Sequence, residues 1–136
     1  MIDNAVWPNA PRRVVAAMLA LFGPTLPGLV SIAHAGDPNA GKTVFTAICS
    51  GCHTVQPGQS KVGPSLFGIV GRRTGEPSAF PYSPANQASN LIWDVGTLDM
   101  YIQAPHAIVP GTRMSYGGLK DDTKRDNLIA YLTTLK

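Results

Sequence analysis

Cys49-Ser50-Gly51-Cys52-His53 constrains this chain more than any other stretch, because its spelling, C-x-x-C-H, is that of covalent haem attachment. Two thiols separated by two residues can each add to one vinyl group of a haem. The adjoining histidine then reaches the iron from the same side through a ring nitrogen. Cys49 and Cys52 are the only two cysteines of the 136 residues. A structural zinc site wants four ligands, usually as two spaced pairs, and there is no second pair. A thioredoxin-like dithiol sits at a strand-to-helix junction in a βαβ pattern, which this sequence lacks. A disulfide between the two would close too small a loop to add much stability.

The first 35 residues read as an address. Arg12 and Arg13 form a positive region, Val14 to Phe22 is a short apolar run, and Ala33-His34-Ala35 is an A-x-A cleavage signature. A secretory signal over residues 1–35, cleaved after Ala35, is therefore expected. The apolar run is well short of the ~20 residues that span a bilayer, and Pro24 and Pro27 interrupt its continuation.

The remainder, residues 36–136, is short enough for one domain. It carries nine Lys/Arg against seven Asp/Glu, too even a balance to favour nucleic acid as a partner. Nothing in it is long and apolar enough to cross a membrane. A segment of this size buries a limited core on its own. Gly and Pro crowd the stretch from Gln56 to Pro84, so its loops need something large and apolar to wrap around. A haem supplies that, in agreement with C-x-x-C-H.

Periodicity predicts few helices and no convincing strand. Asp37-Pro38 is an N-cap followed by proline at the first helical position. Ala40, Val44, Phe45 and Ile48 recur at helical spacing, which predicts a helix from Pro38 to Cys52. Gly41 inside it points to close approach by another element. Residues 54–84 read as ordered loop, with room for a helical turn between Ser65 and Val70, and a short helix is expected around Ala85 to Ser89. Gly96 to Ala104 reads as a helix with Leu98, Tyr101 and Ile102 on one face and Pro105 ending it. Pro110-Gly111 predicts a type II turn. A last helix starts near Asp121-Asp122, acidic residues suited to a helix N-terminus. Its face of Leu128, Tyr131, Leu132 and Leu135 is expected against the first helix.

With His53 on one side of the iron, the opposite axial ligand decides the chemistry. A weakly filled site allows peroxidase reactions or gas binding, whereas methionine closes the iron and raises its potential. The candidates are Met100, Met114 and His106. Met100 lies off the apolar face of its helix, and His106 follows Pro105 in an expected loop. Met114 follows the rigid Pro110-Gly111-Thr112-Arg113 turn, and position alone places it narrowly ahead.

Over essentially all of residues 36–136 the sequence resembles the class I cytochromes c, the small type shared by mitochondria and bacteria. The resemblance runs from Gly41 and Phe45 through C-x-x-C-H, Gly63-Pro64-Ser65-Leu66 and Gly71-Arg72. It continues through Tyr82, Asn86, Trp93 and Tyr101 to Pro110-Gly111-Thr112-Arg113-Met114, and ends at Leu128-Ile129-Ala130-Tyr131-Leu132. It implies an all-α fold of about three to five helices with ordered loops around one covalent haem c. Cys49 and Cys52 would carry the thioethers, with His53 and Met114 as axial ligands. The Pro64 carbonyl would orient His53. Arg72, Tyr82 and Trp93 would donate to a buried propionate, and Tyr101, Asn86 and Thr112 would form a polar group beside Met114. Gly41 would let the first helix cross close to Tyr131.

The implied function is a monomeric periplasmic electron carrier, not an enzyme, with an exposed haem edge near Ile48, Thr112 and Tyr116. Its donor would be a cytochrome bc complex or a periplasmic dehydrogenase, and its acceptor a terminal oxidase or photosynthetic reaction centre. Where basic relatives place lysines around the haem edge, this chain has Ile48, His106 and Ala107. Lys42, Lys61, Arg113 and Lys120 remain, so charge steering toward partners is expected to be weak. A haem enzyme or gas-binding sensor is the alternative if Met114 does not ligate.

Overall fold

A computed structural model describes residues 36–136, and these form five α-helices joined by long ordered loops. The secretory segment expected over residues 1–35, with its cleavage after Ala35, lies outside the described residues. Helix α1 spans Pro38–Val44, with Pro38 in its first turn and the Asp37 carboxylate accepting the Asn39 N–H at 2.8 Å. The chain then widens into a π-helical turn over Phe45–Cys49, closed by the Ser50 N–H on the Phe45 carbonyl at 2.9 Å. The hydroxyls of Thr46 and Ser50 bond carbonyls four residues back, at 2.8 and 2.6 Å, which loosens the helical ladder. Helical structure therefore stops at Cys49 rather than Cys52. The amides of Cys52 and His53 fold back onto the Cys49 carbonyl at 3.1 and 2.9 Å. The C-x-x-C-H stretch is a tight turn hung from the end of a helix.

The later helices are α2 (Pro84–Ala88), α3 (Val95–Gln103), α4 (Pro105–Ile108) and α5 (Asp122–Thr133). Pro105 does not simply end α3. It opens α4, where its fixed φ suits a first helical turn, and His106 rides on that turn instead of in a loop. Ser65 to Val70 forms turns without a helix. The Thr112 amide closes the Pro110-Gly111 turn on Val109 at 3.0 Å, with Gly111 at φ +91°. An antiparallel bridge between Arg73 and Ile92 ties the 71–74 loop to the chain entering α3.

The main packing event is α1 against α5. The two backbones meet at Gly41, where a Cβ would run into the Asn127 carbonyl and lie 2.8 Å from the Tyr131 Cβ. Phe45 packs on Tyr131 beside this crossing, ring centroids 5.7 Å apart. On α5, Leu128, Ile129 and Leu132 are buried and Tyr131 and Leu135 are half-buried against the same core. Phe45, Ile69, Trp93, Leu98, Tyr101, Ile102 and Val109 complete that core. Among the described residues no helix is long and apolar enough to cross a membrane.

Two consequences are measurable. Gly41→Ala should cost about 1–3 kcal/mol, because backbone on α5 must move to admit the methyl. Gly96→Ala, on the exposed first turn of α3, should be neutral or stabilising by up to about 1 kcal/mol; denaturant midpoints separate the two. The N-cap carboxylates of α3 and α5, Asp94 and Asp121, are held below their ordinary pKa, chiefly by the Thr97 and Lys124 amides they accept. Their folded pKa is depressed, so their contribution is present above about pH 4 and lost as pH falls through the folded value. Asp94→Asn and Asp121→Asn should each flatten the acid limb of the stability curve.

Candidate functional site

A cavity of about 740 Å³ opens beneath the C-x-x-C-H turn, between α3, α5 and the two long loops. Its apolar lining includes Leu66, Ile69, Leu98, Ile102, Leu128 and Leu132. The packing of α3 and α5 therefore supplies one wall. Cys49, Cys52, His53, Pro64 and Met114 also line it, together with Tyr82, Asn86, Trp93, Tyr101 and Thr112. Residues far apart in sequence, from Cys49 to Leu132, thus face one space. Of the other axial candidates, Met100 is 50% exposed on α3 and His106 is exposed on α4. Neither borders the cavity.

Cys49 is half-buried and Cys52 exposed, at the mouth. Burial, and secondarily the neighbouring Cys52, pushes the Cys49 thiol up to about 11. His53 Nδ1 lies 2.8 Å from the Pro64 carbonyl. A carbonyl only accepts, so Nδ1 carries the proton and Nε2 keeps a free lone pair. Burial lowers the His53 pKa, against the opposing pull of that hydrogen bond, and the ring stays neutral. The Gly63 amide holds the Cys52 carbonyl at 2.8 Å and the Leu66 amide holds Thr54 at 2.9 Å, bracketing the ring. A side chain at position 63 would strike the imidazole itself.

The polar side of the cavity is organised by one hydroxyl. Thr112 Oγ1 donates to Asn86 Oδ1 at 3.1 Å and accepts from the Tyr101 hydroxyl at 3.0 Å and the Met114 amide at 3.3 Å. Its single proton and two lone pairs are thereby all used. Asn86 Oδ1 also receives the Ser83 hydroxyl at 2.8 Å, while Ser83 Oγ accepts the Asn86 amide as N-cap of α2. All four side chains other than that of Met114 are buried. Ser83 is the member that sequence reasoning missed: as the residue before Pro84 it signalled only a helix start.

Arg72, Tyr82 and Trp93 sit less uniformly. Trp93 is buried on the cavity wall, its ring 4.7 Å from that of Tyr101. Tyr82 also lines the cavity and donates its hydroxyl to the Glu76 carbonyl. Arg72 lies behind the wall, donating to the carbonyls of Ser65 and Phe67 at 2.8 and 3.2 Å. Its Nε is the one buried side-chain polar atom without a partner among the described residues. An unpaired guanidinium nitrogen is costly in an apolar setting and calls for an acceptor. Two thiols, an imidazole with a free Nε2, a thioether and an unmet cationic donor around an apolar cavity fit a haem and its carboxylates.

Residues 38–136 match the family model described as Cytochrome c. The chain is 50% identical over 101 residues to cytochrome c2 of Rhodopila globiformis, covering 74% of this chain and 95% of that protein. It is 48% identical over 103 residues to cytochrome c2 of Rhodoblastus acidophilus, covering 75% and 95%. A solved structure, cytochrome cH from Methylobacterium extorquens, superposes with a TM-score of 0.69 at 39% identity, covering 73% of this chain and 99% of that one.

Thr112→Val should leave the Tyr101 hydroxyl, the Met114 amide and part of Asn86 unmet, costing about 1–3 kcal/mol in denaturant unfolding. Thr112→Ser retains the hub and should recover most of that loss.

Proposed function

This chain belongs to the cytochrome c family, and on that premise we propose that it is a periplasmic electron carrier with His53 and Met114 as its axial pair. Membership brings a covalently attached haem c, the all-α class I fold and the work of a haem electron carrier. When bound, the haem supplies an iron that gains or loses one electron at a time.

Each residue has a task in this reading. Cys49 and Cys52 hold the group through thioethers. Pro64 fixes the His53 tautomer so that Nε2 keeps a free lone pair to offer the iron, and Gly63 leaves room for the ring. The Thr112 hub holds the Met114 amide, which sets where the thioether can reach, with Asn86 and Tyr101 completing the polar network. Arg72 through its unpaired Nε and Trp93 through its indole N–H supply donors for the carboxylates, and the Tyr82 hydroxyl joins them by leaving the Glu76 carbonyl. The apolar wall excludes water and favours the less charged, reduced state, hence a positive potential. The observation that carries the reading is the convergence of His53 and Met114 on one cavity that neither Met100 nor His106 borders.

Export and domain limits rest on the sequence of residues 1–35, with residues 36–136 as the working domain. The donor is a cytochrome bc complex or periplasmic dehydrogenase and the acceptor a terminal oxidase or reaction centre, each met by a monomer in peripheral contact with the membrane. Near the cavity mouth Ile48 is 40% exposed, while Lys61 and Arg113 donate to the carbonyls of Ser50 and Pro81. With Ile48, His106 and Ala107 where basic relatives have lysines, few cations surround the mouth and steering by charge is modest.

The ferric protein is expected to display the weak sulfur-to-iron charge-transfer band, and the reduced protein to resist carbon monoxide. Ready carbon monoxide binding at neutral pH would instead favour a gas-binding or peroxidase-like protein. Met114→Ala should keep the haem attached, abolish the band and lower the potential; an unchanged potential reassigns the ligand. His53→Ala should prevent stable haem incorporation, read as loss of covalently retained haem after acid–acetone extraction.

A further inference from the structure

One buried charge has no part in the mechanism above. Arg125 on α5 is covered to 3% exposure just beneath the surface, where a cation needs its hydrogen-bond donors met. Its guanidinium is satisfied from three directions. Nε donates to Asp99 Oδ1 on α3 at 2.7 Å, Nη2 to Asp122 Oδ1 at 2.6 Å, and Nη1 to the Leu119 carbonyl at 2.9 Å. Asp122 belongs to the same helix as Arg125, so that contact joins nothing distant. The other two tie α5 to α3 and to the loop between Val109 and Asp121.

That loop carries Met114, and it is pinned at two places. Its near end is held by the Thr112 hydroxyl. Its far end lies on the last turn of α3, whose terminal carbonyls lack intrahelical partners. The Leu119 amide donates to the Ile102 carbonyl at 2.9 Å, and the Lys120 ammonium caps the Gln103 carbonyl. Leu119 thus gives its N–H to α3 and its carbonyl to Arg125. Asp99 stands one turn before Ile102 and Gln103, so the guanidinium is aimed by the same helix end on which the loop rests. A planar, forked donor can serve a carboxylate and a carbonyl at once, which an ammonium cannot do from a fixed point.

We propose that Arg125, aimed by Asp99, is a positioning residue for Met114, locking the far end of its loop through the Leu119 carbonyl. The inference rests on Met114 as the axial ligand. It implies that the Asp99–Arg125 contact sets how often the 114–119 segment opens, separately from the stability of the α1–α5 core.

The test is native-state hydrogen exchange on the ferric holoprotein, comparing the Leu119 amide with those of Leu128 and Leu132 in α5. Asp99→Asn keeps the side-chain shape and removes the charge at a position 37% exposed, where folding tolerates it. Exchange at Leu119 should speed by about tenfold or more relative to α5, the response to losing a charge-assisted hydrogen bond. Added imidazole should reach the iron faster by a similar factor, and Asp99→Glu should restore both. Arg125→Lys, which keeps the charge without the fork, should behave as Asp99→Asn does. An unchanged Leu119 amide, or one that accelerates only in step with Leu128 and Leu132, overturns the proposal. Absence of the sulfur-to-iron band from the unmodified protein overturns the Met114 assignment instead, whatever the exchange pattern.

Discussion

The crossing of α1 over α5 at Gly41 sets the position of everything that follows. The backbones approach so closely there that α1 has little freedom to slide or rotate, and Phe45 is carried onto Tyr131. The C-x-x-C-H turn begins where α1 and its π-helical extension end, so its two thiols and imidazole inherit that placement. The same crossing aims Leu128 and Leu132 of α5 into the cavity from below. One contact between two backbones therefore positions both the attachment point and part of the apolar wall.

The loops are held by a different principle. With few helices and one isolated bridge, most of residues 54–94 cannot satisfy their backbone groups in regular ladders, and buried polar groups must find partners elsewhere. Side chains take over. Ser65 bonds the Gln56 carbonyl, Thr74 bonds Leu91, Arg72 spans Ser65 and Phe67, and Thr112 gathers Tyr101, Asn86 and Met114. Arg125 repeats the pattern at the end of the Met114 loop. The loops are rigid for reasons of hydrogen bonding, which is what a site needs when its ligands come from distant segments. The unpaired Arg72 Nε is the exception, and it lies where the haem carboxylates are proposed to be met.

Much of this was legible in the sequence because the signals were local. Asp37-Pro38 and Asp121-Asp122 mark helix starts by local chemistry alone, and α3 and α5 show their apolar faces in their spacing. C-x-x-C-H declares its chemistry without any fold. The errors were also local in origin. Thr46 and Ser50 compete for helical carbonyls, so helical structure stopped three residues before its expected end. Pro105 ends α3 as its position indicates, and the same fixed φ also begins α4, which nothing local announces. Ser83 carried no sign of a second role because a helix cap and a network member use the same hydroxyl.

By itself the sequence determined that this chain bonds a haem, that it is built from a few short helices with long loops, and that it is similar to the cytochromes c. The first two follow from spacing, capping and composition, which act over a handful of residues; the similarity is carried by motifs matched in order along residues 36–136. Only the tertiary structure decided which sulfur shares a cavity with His53, since Met100 and Met114 differ in where the fold sends them and not in chemistry. It alone showed Thr112 as a saturated hub and Arg125 as a buried clamp. A hydroxyl or guanidinium announces its capacity to bond in sequence, but its partners are chosen by segments brought together when α3 and α5 pack.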